Sequence, residues 1–526
     1  MAAELPVPNK FNAAWYFIDR HLQEGRGEKR AFECGEEIVS YAQLHECVNR
    51  FGNALRRSLG VRIEERILLL LQDTPDFACC FFGAIKIGAV PVPVNTLLKP
   101  HDYEYLLNDS RARVMVVSQA LRLCIDEIPR ERLPFLEHIV VAGGYSDGAS
   151  LSALCAGQPC ELNPAPTCKD DAAFWLYSSG STGLPKACIH LHHDMMVAAQ
   201  LYARGILDIA ETDRFFSVAK LFFAYGLGNS LYFPLAVGAT SILLPGPPSP
   251  QSVFEVIERH RPTLFFSVPS NFVALLNHVR PGADFDLSSI RNAVSAGEAL
   301  PAPIFERFRR RFGVEILDGV GSTEALHIFI SNRPGEARAG CSGQLVPGCE
   351  AKLLDEHGAR VPAGEIGNLW IKYDSVCAAY WNQHDRTKDA IEGHWISTGD
   401  KFRQDEQGYF WYAGRSDDML KVSGAWVSPA EIEWVLMLHE AVAEVAVVGC
   451  KDQDQLVKPT AWVVVRQGFS PSAELSRELQ EFVLSRLPVY KRPRAVKFIS
   501  ELPKTATGKI QRFKLRAESG LHPGSG

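Results

Sequence analysis

No Cys-x-x-Cys pair occurs among the thirteen cysteines of this chain, so neither a zinc site nor a disulfide framework is expected. Cys79 and Cys80 sit in an apolar run and read as buried filler, and thiols scattered this way suit a reducing cytoplasm. No apolar run is long enough to cross a bilayer. The nearest candidate, 77–94, is interrupted by Lys86, Pro91 and Pro93 and reads as core. Met1-Ala-Ala-Glu-Leu-Pro6 lacks the basic start and apolar stretch of a secretory leader. There is no excess of positive charge: a net −6 argues against a dedicated nucleic-acid binder. Internal repeats and low-complexity tracts are also missing. His190-Leu-His192-His193 lacks a partner ligand at metal spacing and reads as a His-rich strand-to-helix junction.

What is present is an ordinary globular composition, 46% hydrophobic and 22% charged, over 526 residues, enough for two or more domains. Apolar runs at 66–71, 113–117, 138–141, 241–244 and 263–267 read as buried strands, and 41–59 and 303–312 show helical spacing. From about 345 to 412 the texture turns to short β-like runs between Gly and Pro turns. Residues 415–526 look like a separate small α+β unit. Ser428-Pro-Ala-Glu431 opens a helix there as a capping box, and strands follow near 445–448 and 461–465. The fold class is therefore α/β: a large multi-subdomain N-terminal domain, 1–414, of α/β layers plus a β-rich subdomain, and a small C-terminal domain, 415–526.

The chemistry-bearing segments begin at Tyr177-Ser-Ser-Gly-Ser-Thr-Gly-Leu-Pro-Lys186. Gly180 and Gly183 let backbone N–H groups converge on anionic oxygens. Ser178, Ser179, Ser181 and Thr182 add hydroxyl donors, and Lys186 adds a charge. The loop is not a Walker P-loop, because Leu184-Pro185 separates Gly183 from Lys186 and Ala187 follows. Gly319-Val-Gly-Ser-Thr323-Glu324 places a carboxylate beside a hydroxyl, a pairing that suits Mg²⁺ shared with phosphate. Ser397-Thr-Gly-Asp400 presents an acid after a turn, suited to ribose hydroxyls. Arg415 and Asp417 lie at the domain junction, and Pro503-Lys-Thr-Ala-Thr-Gly-Lys509 carries a lysine on a Gly/Thr loop.

In this order and spacing these segments resemble the acyl-adenylate-forming superfamily of acyl-CoA synthetases, carrier-protein adenylation domains and luciferases, over nearly the whole chain. The resemblance implies ATP, CoA and Mg²⁺ as co-substrates and cofactor, with a small domain that swings about a hinge at Asp417. By position, Ser178, Ser179, Gly180, Ser181, Thr182, Gly183 and Lys186 would hold phosphate. Gly297, Glu298, Asp318, Gly319, Thr323, Asp400 and Arg415 would complete the nucleotide site. Glu324 would ligate Mg²⁺, Lys509, Thr182 and Glu324 would be catalytic, and Gly424 would line a CoA tunnel. Ala187 departs from the glycine common at that place.

Within the superfamily the benzoate-CoA ligase group is the nearest likeness, through Ala219-Lys-Leu-Phe-Phe-Ala-Tyr-Gly-Leu-Gly228 and Gly321-Ser-Thr-Glu-Ala-Leu-His-Ile-Phe-Ile330. Ala224, Tyr225, Gly321, His327, Ile328 and Lys421 would bind the acid. The implied reaction converts benzoate, or a hydroxy- or amino-benzoate, to its CoA thioester through an acyl-adenylate. Loading of a carrier protein is the alternative. Ala325 stands where the benzoate ligases carry methionine, which would leave room for a ring substituent. Lys491-Arg492-Pro493-Arg494 is a candidate basic patch for the phosphates of CoA. The expected partners are a small aromatic acid, ATP and CoA, with no nucleic acid or membrane; a homodimer is left open.

Overall fold

The computed structural model of the chain describes residues 5–144, 150–178, 184–279, 285–416, 418–422, 425–451, 457–504 and 510–518. The first long helix, Tyr41–Arg57, is opened by a reciprocal capping box: Gln43 N–H donates to Ser40 Oγ at 3.2 Å, and Ser40 N–H donates to Gln43 Oε1 at 2.8 Å. Its buried face, Leu44, Val48, Phe51 and Leu55, follows helical spacing. It packs on the helix Pro75–Lys86 at a glycine crossing, where a Cβ on Gly52 would stand 3.0 Å from the Gly83 carbonyl.

The stretch 77–94 is core, as its interruptions suggest, and forms that second helix followed by the strand Val90–Pro93. Lys86 is tolerated inside because its ammonium group is paired with Asp19 and Asn49. The reading of Cys79 as filler is corrected. It is joined to Cys47 on the facing helix, with 5.6 Å between Cα atoms, while Cys80 is buried and free. The two cysteines are 32 residues apart, and pairing over such a distance is set by helix packing, not by local spacing.

Among the described residues, the N-terminal sheet of four parallel strands runs Val90–Pro93, Arg66–Leu70, Val114–Ser118, His138–Ala142. A nine-stranded sheet runs Gln344–Leu345, Ile328–Ser331, Ile316–Gly321, Asn292–Ser295, Leu264–Ser267, Arg214–Ser217, Thr240–Leu243, Arg30–Cys34, Glu37–Ser40. Its middle strands are parallel and buried along nearly their whole length, as a sheet covered by helices requires. The β-rich subdomain is a third, antiparallel sheet. Its strand Ile366–Lys372 alternates buried and half-buried residues, and its last strand, Phe410–Arg415, pairs with Trp395–Gln404. Arg415, the first residue of the small domain in the sequence reading, is thus the last residue of that strand.

The small domain is a sheet of Val442–Lys451, Val457–Val465 and Ala495–Phe498, covered by the helices Pro429–Met437 and Ala473–Leu484. Only half of its expected capping box forms. Ser428 Oγ accepts the Glu431 N–H at 3.3 Å, but the Glu431 carboxylate turns to Lys491 Nζ at 2.6 Å, and an ion pair outcompetes the return bond to backbone. The C-terminal helix Arg512–Glu518 is clamped twice. Arg512 forks onto both oxygens of Glu433 at 2.8 Å, and Arg516 reaches Asp418 at 2.7 Å beside the domain junction. Among the described residues, no helix is long and apolar enough to cross a membrane.

Candidate active site

The parallel strands Arg214–Ser217, Leu264–Ser267, Asn292–Ser295 and Ile316–Gly321 end on one edge, the place where α/β sheets take ligands. Ser295 and Asp318 are register partners, so the turn Gly297-Glu298 and the pair Asp318-Gly319 issue from neighbouring strand ends. Gly297 has φ +91°, and this conformation, not crowding, requires glycine there. Asp318 is buried with Oδ1 unpartnered, and burial drives its carboxyl well above the usual carboxylate range.

The hydroxyl-rich loop is the tip of a hairpin. Strands Ala172–Ser178 and Lys186–Leu191 pair antiparallel with Ser178 opposite Lys186. Ser179, Gly180, Ser181, Thr182 and Gly183 lie outside the described residues. Both stems are anchored: Tyr177 OH donates to Asp109 Oδ2 at 2.6 Å, and Tyr105 OH donates to the Pro185 carbonyl at 2.9 Å.

Glu324 meets this hairpin. Its Oε1 is 3.1 Å from Lys186 Nζ and accepts Tyr380 OH at 2.9 Å and Ser178 Oγ–H at 3.3 Å. Lys186 also lies 3.8 Å from the centre of the Tyr380 ring. Burial pushes the Glu324 carboxyl up, but the Lys186 charge and the donated hydrogen bonds outweigh it and hold the group below the ordinary range. Among the described residues all three of these donors meet Oε1, so Oε2 is the oxygen that could face a hard cation. A single carboxylate suits Mg²⁺, which takes its other ligands from phosphate and water.

Thr323 is braced from behind: its carbonyl accepts His190 Nε2–H at 2.9 Å, and His190 Nδ1 lies 2.8 Å from Asp194. The His-rich junction therefore has a carboxylate partner four residues on, at the start of the following helix, and the pair is fully buried. Asp400 and Arg415 are cross-strand neighbours, 3.2 Å apart, with Arg415 Nη1 also donating to the Thr398 carbonyl at 3.1 Å. Gly399 has φ +72°, and a Cβ there would stand 2.9 Å from the Arg415 guanidinium.

The acid-pocket candidates converge on the other side of the same turn. Gly321 pairs with Ile328, and a Cβ at Gly321 would sit 2.6 Å from the His327 carbonyl. Ala224 and Ile328 are buried; Tyr225 is half-buried, with its hydroxyl on the carbonyls of Val294 and Ser267 at 3.2 and 3.3 Å. His327 is buried among Phe233, Tyr202 and Tyr225, at ring-centre distances of 4.5, 5.3 and 5.5 Å. Its Nε2–H donates to the Tyr225 carbonyl and Asn229 Oδ1, both at 3.2 Å, and burial lowers its pKa to about 3, so the ring is neutral. Leu326, between Glu324 and His327, has φ +67°; this left-handed residue turns the chain between the two sites.

Asp417, Gly424 and Lys509 lie outside the described residues, as does the side chain of Lys421, whose backbone is in the strand Leu420–Val422. In the expected basic patch Lys491 is committed to Glu431, and Arg492 is half-buried, which leaves Arg494 as the exposed charge. Tyr380, His190, Asp194, Asn229 and Leu326 were not found from sequence. Each acts through a contact more than fifty residues distant or through a backbone angle, and neither leaves a local pattern, apart from the His190–Asp194 spacing.

The family model of AMP-binding enzymes matches residues 19–381, and that of the AMP-binding enzyme C-terminal domain matches 431–509. The chain belongs to the AMP-binding enzyme family. It is similar over nearly its whole length to the benzoate–CoA ligase of Thauera aromatica: 49% identical over 514 residues, 98% of this chain and 97% of the relative. A 4-hydroxybenzoate–CoA/benzoate–CoA ligase of Rhodopseudomonas palustris is 44% identical over 96% of this chain and 94% of its own. Among solved structures, the anthranilate CoA ligase AuaEII in complex with anthranoyl-AMP superposes with a TM-score of 0.93 at 44% identity, covering 98% of both chains.

Proposed function

We propose that this protein is an ATP-dependent aryl-CoA ligase, which joins benzoate or a hydroxy- or amino-substituted benzoate to CoA through an acyl-adenylate and releases AMP and pyrophosphate. The observation that carries the reading is the turn 321–328. It directs Glu324 to Lys186 and the phosphate-loop hairpin, and His327 to the aromatic wall at Tyr225, so an aryl carboxylate and an α-phosphate would meet between them. The full-length likeness to benzoate, hydroxybenzoate and anthranilate ligases supports the same substrate class.

In this reading the 178–186 loop cradles the triphosphate, Asp400 and Arg415 hold the ribose, and Gly297, Glu298, Asp318, Gly319 and Thr323 frame the rest of the nucleotide. Lys186 and Lys509 offset the charge that makes carboxylate attack on phosphate unfavourable; Glu324 would hold Mg²⁺, which when bound supplies further positive charge. Thr182 and Lys509 act on the transferring group. Rotation about Asp417 then removes Lys509 and brings Gly424 to a thiol tunnel. We place the domain division at 414/415 and the enzyme in the cytoplasm. Eleven free cysteines support that compartment; the Cys47–Cys79 bridge weighs the other way. A homodimer remains a proposal for gel filtration to decide.

The test is thioester formation with ATP, Mg²⁺ and CoA from benzoate, 4-hydroxybenzoate, 2-aminobenzoate, phenylacetate and hexanoate, with pyrophosphate followed separately. Thioester chiefly from the benzoates is expected. Pyrophosphate without thioester would point to a carrier-protein acceptor.

Ala325 is fully buried at the turn, its carbonyl accepting Ser375 Oγ–H at 2.9 Å. Ala325→Met should cut turnover of substituted benzoates several-fold relative to benzoate, with the overpacking cost, of order 1–3 kcal/mol, read from the melting temperature. An unchanged substrate ratio would show that this position does not set ring tolerance.

A further inference from the structure

A buried carboxylate reaches from the four-stranded sheet's subdomain into the loop that carries Ala224 and Tyr225. Asp73 lies just beyond the strand Arg66–Leu70, is 4% exposed, and accepts the Leu221 N–H on Oδ1 at 3.1 Å. The neighbouring Lys220 donates through Nζ to the carbonyls of Leu244 and Gly246 at 2.5 and 2.7 Å, and its Nζ is 3.8 Å from Asp73 Oδ2. Three segments from two sheets are thus tied at one point: the end of 66–70, the loop 218–223 and the turn after 240–243.

The loop has no slack with which to absorb a shift. Phe223 N–H donates to the Lys220 carbonyl at 3.0 Å. The turn Ala224–Leu227 rests on the carbonyls of Ala219 and Lys220, which a Cβ at Gly226 would meet at 2.4 and 2.1 Å. Tyr225 OH fixes the far end to the ends of two sheet strands. Any displacement of Leu221 is therefore passed to Ala224 and Tyr225. A buried ion pair adds little net stability over apolar groups of the same shape, so what this one supplies is geometry.

We propose that Asp73, backed by Lys220, is a positioning residue for the aryl acid, holding the 218–225 segment so that Ala224 and Tyr225 meet the ring. The inference rests on the aryl-acid reading of the Tyr225–His327 pocket. Titration offers a handle on it. Burial pushes Asp73 up to about 6, against the opposing pull of Lys220, and burial presses Lys220 down. The other titratable groups nearby are the Cys34 thiol, which faces the Asp73 carbonyl at 3.9 Å, and the carboxylates of Asp76 and Glu37; of all these groups, Lys220 is the one that acts on Asp73 itself.

The experiment compares wild type, Asp73→Asn and Asp73→Ala. Asp73→Asn keeps an acceptor for Leu221 but cannot ionise. It should raise KM for benzoate about tenfold, leave KM for ATP within about twofold, and lack the fall in kcat/KM for benzoate expected of wild type as pH drops through about 6. Asp73→Ala should in addition speed amide exchange at Leu221 by roughly a hundredfold. A wild-type KM for benzoate in Asp73→Asn, or equal movement of both KM values, would overturn the assignment. Amide exchange is read whether or not benzoate is turned over. Lost protection in an enzyme that refuses every aryl acid would uphold the anchor and reject the substrate reading, and unchanged protection would overturn the anchor.

Discussion

Lys509→Ala should lower adenylate formation by about 10²–10³-fold or more, the range seen when one charge-stabilising group is removed from a transition state. The same variant should convert preformed acyl-adenylate and CoA to thioester at close to the wild-type rate. The reason is electrostatic. When a carboxylate attacks the α-phosphate, negative charge grows on a group that is already anionic, and a lysine placed there acts only while that charge is present. Thiol attack on the acyl-adenylate expels AMP and places its developing charge on the acyl oxygen, away from that lysine. The helix Arg512–Glu518, which follows Lys509 in the sequence, is locked to Glu433 and Asp418. Pyrophosphate release and single-turnover thioester formation, measured separately, check the division. Equal loss in both half-reactions would show that Lys509 serves something common to them, such as folding of the small domain.

Glu324→Gln carries the second large expectation: a loss of about 10²-fold or more in adenylate formation, with a higher Mg²⁺ concentration needed for half-maximal rate. Glutamine keeps the shape and can still accept from Tyr380, but it removes the charge opposite Lys186 and the hard anionic oxygen at Oε2. Tyr380→Phe removes one neutral donor to the same carboxylate and should cost only about tenfold. Because the folded Glu324 carboxyl is held below its ordinary value, its ionised form is present through neutral pH and is lost only as pH falls through that depressed value. The wild-type acid limb should therefore not come from Glu324. An unaltered Mg²⁺ dependence in Glu324→Gln would move the metal-ligand role to another residue.

The two variants differ in how far sequence alone leads to them. Lys509 and Glu324 stand in contiguous motifs, since a phosphate or a metal must be met by neighbouring groups on one short loop, and such loops are written locally. The strands followed from the same kind of local cause. Apolar runs such as 66–70, 114–118 and 264–267 are buried on both faces of parallel sheets and had no other stable fate. The helix 41–57 carried its own cap and stripe.

Tertiary packing decided the rest. Tyr380 bonds Glu324 across 56 residues, His190 holds the Thr323 carbonyl across 133, and Asp73 anchors Leu221 across 148, all through single side chains whose partners chain order does not reveal. Packing also overruled local signals: Glu431 left its capping box for Lys491, Cys79 found Cys47 on a facing helix, and Leu326 took a left-handed turn that its side chain disfavours. The sequence by itself determined the fold class and the order of the reactive segments, because hydrophobic period and loop chemistry are properties of neighbours. How those segments are held, braced and aimed was decided only when the sheets closed, because buried polar groups must find partners wherever the packed chain brings them.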